Sequence, residues 1–297
     1  MIIDSYIDCI PCIINRADQL ANKYLGTKVE KYDYMHDVLS IIQEADFSRT
    51  SPVLTMRAMN ALKVIDQVNK DYECIKEKFN ERILRLKPVF EEIIDKSNDS
   101  LKKALQFSIA GNIIDLGAFE SIDFKLVDDV IEKAQNEPLD REIFNRLLED
   151  LRNSERLLYI GDNSGEIVFD HLLINQLKKA FPKLEIIFAV RGGTILNDIT
   201  RKDAKQVGLD QDVRIIDSGV NIPGTDLLEV SDDFNDIFYS SDIIISKGQG
   251  NYESLSGCLE PIYYLFLAKC NIIQQHLNKG FLESVFIHEE QLKKRRR

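Results

Sequence analysis

The sequence predicts an α/β protein in which a helical first third precedes a parallel sheet covered by helices on both faces. Three observations predict it. Of 14 glycines only Gly26 lies before residue 111, and glycine is costly inside helices but needed at tight loops. Apolar residues in that first third recur at helical spacing. From about Arg156 short apolar runs alternate with amphipathic segments, as strand–helix repeats around a buried parallel sheet do.

Each element has a local reason. Thr50 and Ser51 before Pro52 fit a helix start, with Met56, Met59 and Leu62 on one face behind it. Ile65, Val68 and Tyr72, then Phe79, Ile83 and Leu86, continue the helical period, and the Met and Tyr residues read as core. Expected strands are 157–160, 185–190, 213–217 and 242–246, with 262–267 a fifth candidate. Between them the pattern predicts helices over 167–180, over 200–207 closed by Gly208, and over 231–239. Ser231 followed by two aspartates suits an N-cap and the positive end of a helix. The chain thus divides into a helical N-terminal region, 1–109, and an α/β region, 110–297.

Composition narrows the function classes. The 297 residues carry 38 Lys+Arg against 49 Asp+Glu, a net charge of −11. Such a chain repels nucleic acid and anionic membrane. At 44% hydrophobic and 29% charged it can bury a sizeable core. The longest apolar run, Ile262 to Ala268, is strand-sized, and the opening Met-Ile-Ile-Asp lacks a signal peptide's basic start. Five scattered cysteines argue against a disulfide framework. The expectation is a cytoplasmic protein without nucleic-acid or membrane partners, its oligomeric state open.

Parallel sheets bind ligands outside the carboxyl ends of their strands, and three expected strands end in unusual polar sequences. These are Gly161-Asp162-Asn163-Ser164-Gly165-Glu166, then Arg191-Gly192-Gly193 with Asn197-Asp198, then Lys247-Gly248-Gln249-Gly250-Asn251-Tyr252-Glu253. Asp162, Asn163 and Asp198 offer hard oxygen ligands suited to Mg²⁺ or Mn²⁺. Arg191 and Lys247 are the cations expected to hold an anion. Turning the chain and capping helices would explain any one loop. Three in succession, all charged, ask for a phosphate–metal site.

Familiar alternatives fail on the residues. No Gly-x-Gly-x-x-Gly opens a helix after the first strand, and no P-loop motif occurs. No Cys stands six residues before an Arg, and Gly-x-Ser-x-Gly is absent. Cys9-Ile10-Pro11-Cys12 lacks a second cysteine pair for zinc and a preceding strand for thioredoxin-like chemistry, so buried structural thiols are expected. His36, His171, His276 and His288 form no His-x-x-x-His motif. The terminal Lys293–Arg297 run reads as a solvated tail.

Together the three loops resemble the damage-control phosphatases, formerly domain of unknown function 89. Cys9–Cys12 and Ala110-Gly111-Asn112-Ile113-Ile114-Asp115 fit the small stand-alone prokaryotic branch of that family. The resemblance implies a three-layer α/β/α Rossmann-like domain with a largely helical N-terminal region. It also implies one divalent metal, Mn²⁺ first with Mg²⁺, Co²⁺ or Ni²⁺ as alternatives, held by Asp162, Asn163 and Asp198. Glu166, Arg191, Asn197 and the Lys247, Gly248, Gly250 and Asn251 loop would face the substrate, with Asn112 a further contact. The implied activity is hydrolysis of small phosphorylated metabolites such as sugar phosphates or damaged cofactor intermediates.

On this reading Asp162, Asp198, Glu166 and Lys247 carry the chemistry. Lys247 and Arg191 would neutralise charge on the phosphoryl oxygens, and Glu166 or Asp198 would take a proton from water. Asp162 as a covalent nucleophile is weaker, because no Asp-x-Asp pattern is present. A metabolite-binding protein without turnover and an adenosylmethionine-dependent carboxyl methyltransferase are the rival classes.

Overall fold

The computed structural model describes residues 7–46, 49–113, 124–136 and 138–295. Among the described residues seven helices precede the first strand: α1 (Cys9–Tyr24), α2 (Lys28–Gln43), α3 (Ser51–Asn60), α4 (Ile65–Asp95), α5 (Ser100–Gly111), α6 (Phe124–Asn136) and α7 (Arg141–Asn153). Then come β1 (Arg156–Ile160), α8 (Glu166–Ala180), β2 (Glu185–Val190), α9 (Arg201–Gln206), β3 (Arg214–Asp217), α10 (Asp232–Tyr239) and β4 (Ile243–Lys247). The chain closes with α11 (Gln249–Leu255), β5 (Ile262–Leu267), α12 (Asn271–Leu277), β6 (Ser284–His288) and α13 (Glu289–Arg295). Ile114 and Asp115, and the last two residues of the basic tail, lie outside the described residues.

Most expected elements form. Pro52 sits in the first turn of α3, and the Ser231 side chain accepts the Phe234 N–H at the start of α10. The sheet order is β3-β2-β1-β4-β5-β6. β1 to β5 are parallel, but β6 pairs antiparallel with β5. The sheet is therefore mixed, correcting the all-parallel expectation. Its sixth strand is a five-residue buried run that ends no glycine-rich loop and so carries no strand signal of its own.

Alternate side chains divide the core into two layers. Tyr159, Phe188, Ile245 and Leu265 face a cluster with α4, α5, α7 and α8. Leu158, Ile187, Ile244 and Tyr264 face one with α10, α11, α12 and α13. This is a three-layer α/β/α architecture, and the central strands β1, β2, β4 and β5 are mostly hydrophobic because both of their faces are buried. Helices α1 to α3 build a third cluster that takes in Ile195 and Leu196, from the segment after β2. Leu196 has a φ of 48°, a left-handed conformation rare outside glycine. No described helix is long and apolar enough to cross a membrane.

The topology locates the crevice. From β1 the chain moves outward to β2 and β3, then crosses back to β4 on the other side of β1. Helix α8 packs on one face and α11 on the other, so the loops after β1 and β4 diverge. A ligand crevice forms at such a switch point.

Candidate active site

Backbone pairing stitches the segments after β1 and β2 together. Ser164 N–H donates to the Asn197 carbonyl at 2.9 Å, and Ile199 N–H to that of Asp162 at 2.9 Å. Asn163 and Asp198 form an isolated bridge. At the end of β4, Gly248 has a φ of +82°, and a Cβ there would collide with the Asp162 carboxylate. Only glycine lets the two strand ends approach this closely. Asn251 clips them from below: its amide donates to the carbonyls of Lys247 at 2.6 Å and Gly161 at 3.2 Å.

The polar side chains form one network. Asp162 Oδ2 accepts from Asn163 at 2.5 Å and Asn112 at 3.2 Å, and both amides also donate to Glu166 Oε2, at 3.1 and 2.9 Å. Asn163 Oδ1 accepts from Asn197 at 2.6 Å. Arg191 Nε donates to Asp198 Oδ2 at 2.7 Å, while its Nη2 lies 3.7 Å from Asp162 Oδ1. Burial, then the charges of Glu166 and Asp198, push the Asp162 carboxyl well above its usual range, against Arg191 and Lys269. Three carboxylates thus crowd a region with little solvent.

Lys247 is placed differently from expectation. It is the last residue of β4, and its parity with Ile243 and Ile245 turns it toward α5 and α8. Its ammonium donates to Glu166 Oε1 at 2.6 Å, Asp170 Oδ1 at 2.6 Å and the Ser108 carbonyl at 2.9 Å. Burial would lower its pKa, but Asp170 and Glu166 outweigh that and raise it. Tyr159 and Ser108 donate to the same Asp170 oxygen. With its three N–H groups all donated and no exposure, Lys247 holds the site's carboxylates from behind instead of facing a ligand. Arg191, 2% exposed, does the same for Asp198.

A cavity of about 860 Å³ opens at these strand ends, within the size range of small-molecule sites. Of the residues singled out from sequence, Asp162, Asn163, Asn197, Asp198 and Gly250 line it. Asn112, Glu166, Arg191, Lys247, Gly248 and Asn251 are not on its wall. The cations that are on the wall, Lys269 and Arg16, were missed. Lys269 stands two residues past the end of β5, the same strand-end rule, but no glycine-rich loop advertises it. Cys9 and Cys12 also line the cavity, and Cys12 is exposed. This corrects the expectation of buried structural thiols: the first turn of α1 lies over the strand ends rather than inside its own core.

Among the described residues no group of three or more His, Cys, Asp or Glu side chains is arranged to hold a metal. The donors at the inner wall are Asp162, Asp198 and the Asn163 amide, which turns its nitrogen toward Asp162 as it stands. Two carboxylates and an amide oxygen, with water and a phosphate completing the shell, suit a hard divalent cation that keeps part of its hydration. The donor set fits such an ion once the Asn163 amide is turned.

Comparison with known proteins agrees with this architecture. The damage-control phosphatase ARMT1-like domain matches residues 5–285. An uncharacterized protein of Methanocaldococcus jannaschii is 33% identical over 290 residues, 94% of this chain and 94% of its own. A damage-control phosphatase of Pyrococcus horikoshii is 35% identical over 205 residues, 65% of this chain and 70% of that protein. One of Archaeoglobus fulgidus is 29% identical over 276 residues, 91% and 93% of the two chains. A crystal structure of a domain-of-unknown-function-89 family protein from Pyrococcus horikoshii aligns with a TM-score of 0.84 at 24% identity. That alignment covers 96% of this chain and 99% of the other, and shows a shared fold.

Proposed function

Because this chain belongs to the damage-control phosphatase ARMT1-like domain family, we propose that it is a divalent-metal-dependent phosphomonoesterase of small phosphorylated metabolites. The observation that carries the reading is that Asp162, Asp198 and Lys269, from three strand ends, share one cavity wall. Hard oxygen donors for a cation and an ammonium for an anion are what phosphoryl transfer needs.

Asp162, Asp198 and the oxygen of Asn163 would hold the metal. When bound, it supplies Lewis-acid polarisation of a phosphoryl oxygen and a more acidic water. Lys269 binds the phosphoryl oxygens. Arg191 fixes Asp198 through its 2.7 Å bond. Asp198, on the cavity wall, takes the proton from the attacking water. Glu166 is reassigned from proton acceptor to support, since it lies off the cavity wall and its oxygens accept from Lys247, Asn112 and Asn163. Sugar phosphates and damaged cofactor intermediates are the substrate classes proposed, and Mn²⁺ the first metal, ahead of Mg²⁺, Co²⁺ and Ni²⁺.

The test is a phosphate-release screen over those substrates with the four metals, each with and without a chelator. Release that needs metal is expected. No release from any substrate with any metal would refute the reading, as would release indifferent to chelation.

A further inference from the structure

Within that phosphatase reading, we propose that Glu253 is the catalytic acid that protonates the leaving-group oxygen of the phosphoester. Gln249, Gly250 and Glu253 line the cavity together, as residues at i, i+1 and i+4 of one helix share a face. The Gln249 amide holds Glu253 in place. Its Nε2 donates to Glu253 Oε1 at 2.8 Å and to Cys270 Sγ at 3.4 Å, while its Oε1 accepts the Lys269 N–H at 2.9 Å. The carboxyl is thereby tied to the segment that carries Lys269, the proposed phosphate cation.

Glu253 differs from the site's other carboxylates in its partners. Arg191 pairs with Asp162 and Asp198, and Lys247 with Glu166 and Asp170. Glu253 forms no salt bridge among the described residues. Burial pushes its carboxyl up to about 7, with the Gln249 bond opposing. The ionisable groups sharing its cavity are Cys270 and Lys269 after β5, Asp162 and Asp198 after β1 and β2, and Asp8, Cys9, Cys12 and Arg16 at the start of α1. A carboxyl without a counter-cation that keeps its proton near neutrality is suited to donate it.

In the step, the bond from phosphorus to the leaving oxygen breaks and its electron pair stays on that oxygen, which takes the Glu253 proton. The oxygen of water forms the new bond to phosphorus and passes a proton to Asp198. An alcohol and inorganic phosphate leave, Asp198 releases its proton to solvent, and solvent returns one to Glu253.

The experiment compares Glu253→Gln with the parent protein, both loaded with Mn²⁺, on alkyl phosphates and on p-nitrophenyl phosphate. The nitrophenolate leaves without a proton. Expected is a loss of about 10²–10⁴-fold in kcat on alkyl phosphates, with p-nitrophenyl phosphate hydrolysis nearly unchanged. The basic limb of the alkyl-substrate pH profile should also disappear. In the parent, the rate should depend only weakly on leaving-group acidity, a readout independent of how the variant folds. Equal losses on both substrates, no loss on either, or a steep leaving-group dependence in the parent would overturn the role of Glu253 alone. A parent that releases no phosphate at all would overturn the phosphatase reading and this role with it.

Discussion

Lys247 and Glu166 meet at 2.6 Å with neither side chain reaching solvent. Removing one member of a buried ion pair leaves the other charge without compensation, at about 3–5 kcal/mol. Here Lys247→Ala would strand both Glu166 and Asp170. Denaturant unfolding should show a loss of that order. A variant as stable as the parent but with a raised KM would instead place Lys247 on the substrate.

Lys269 should behave in the opposite way. It stands on the cavity wall, and a hydrogen bond to a charged group contributes about 1.5–3 kcal/mol. Lys269→Ala should raise KM for a phosphomonoester by about 10–100-fold with little change in Tm. An unchanged KM would exclude it as the phosphate cation.

Gly248 tests the close approach of the β1 and β4 ends. Gly248→Ala combines a φ of +82° with a methyl group against the Asp162 carboxylate. Such strain costs about 1–3 kcal/mol, and displacing Asp162 should weaken Mn²⁺ binding as well. Calorimetry with Mn²⁺ checks it, and parent-like affinity would contradict the placement.

His171 gives a pH signature away from the site. It lies 2.8 Å from Asp212 and 3.4 Å from Lys87. Burial lowers its pKa, against the Asp212 hydrogen bond. Its folded value is thus below its unfolded one, so the unfolded chain binds more protons as pH falls through about 6.5. The stability His171 contributes is present above that pH and is lost below it. Unfolding curves of the parent and His171→Gln should therefore converge as pH is lowered from about 7.5 to about 5.5. A constant or widening gap would refute this.

The sequence located strands better than side-chain directions. The expected runs at 185–190 and 262–267 coincide with β2 and β5, because buried parallel strands are continuous apolar runs with polar ends. The switch-point loops were legible from their glycines. Placing the end of β4 at Ser246 instead of Lys247 was enough to read a buried structural lysine as a ligand-facing one, since strand parity decides the face. Lys269 and β6 were missed for a different reason. Neither has a local signature, and each acquires its place only through pairing with distant segments.

The most direct measurement is phosphate release by Asp162→Ala and Asp198→Ala beside the parent at saturating Mn²⁺, with folding verified by circular dichroism. Both variants should fold, and their metal-dependent release should fall to background. Full activity in both would refute Asp162 and Asp198 as metal ligands.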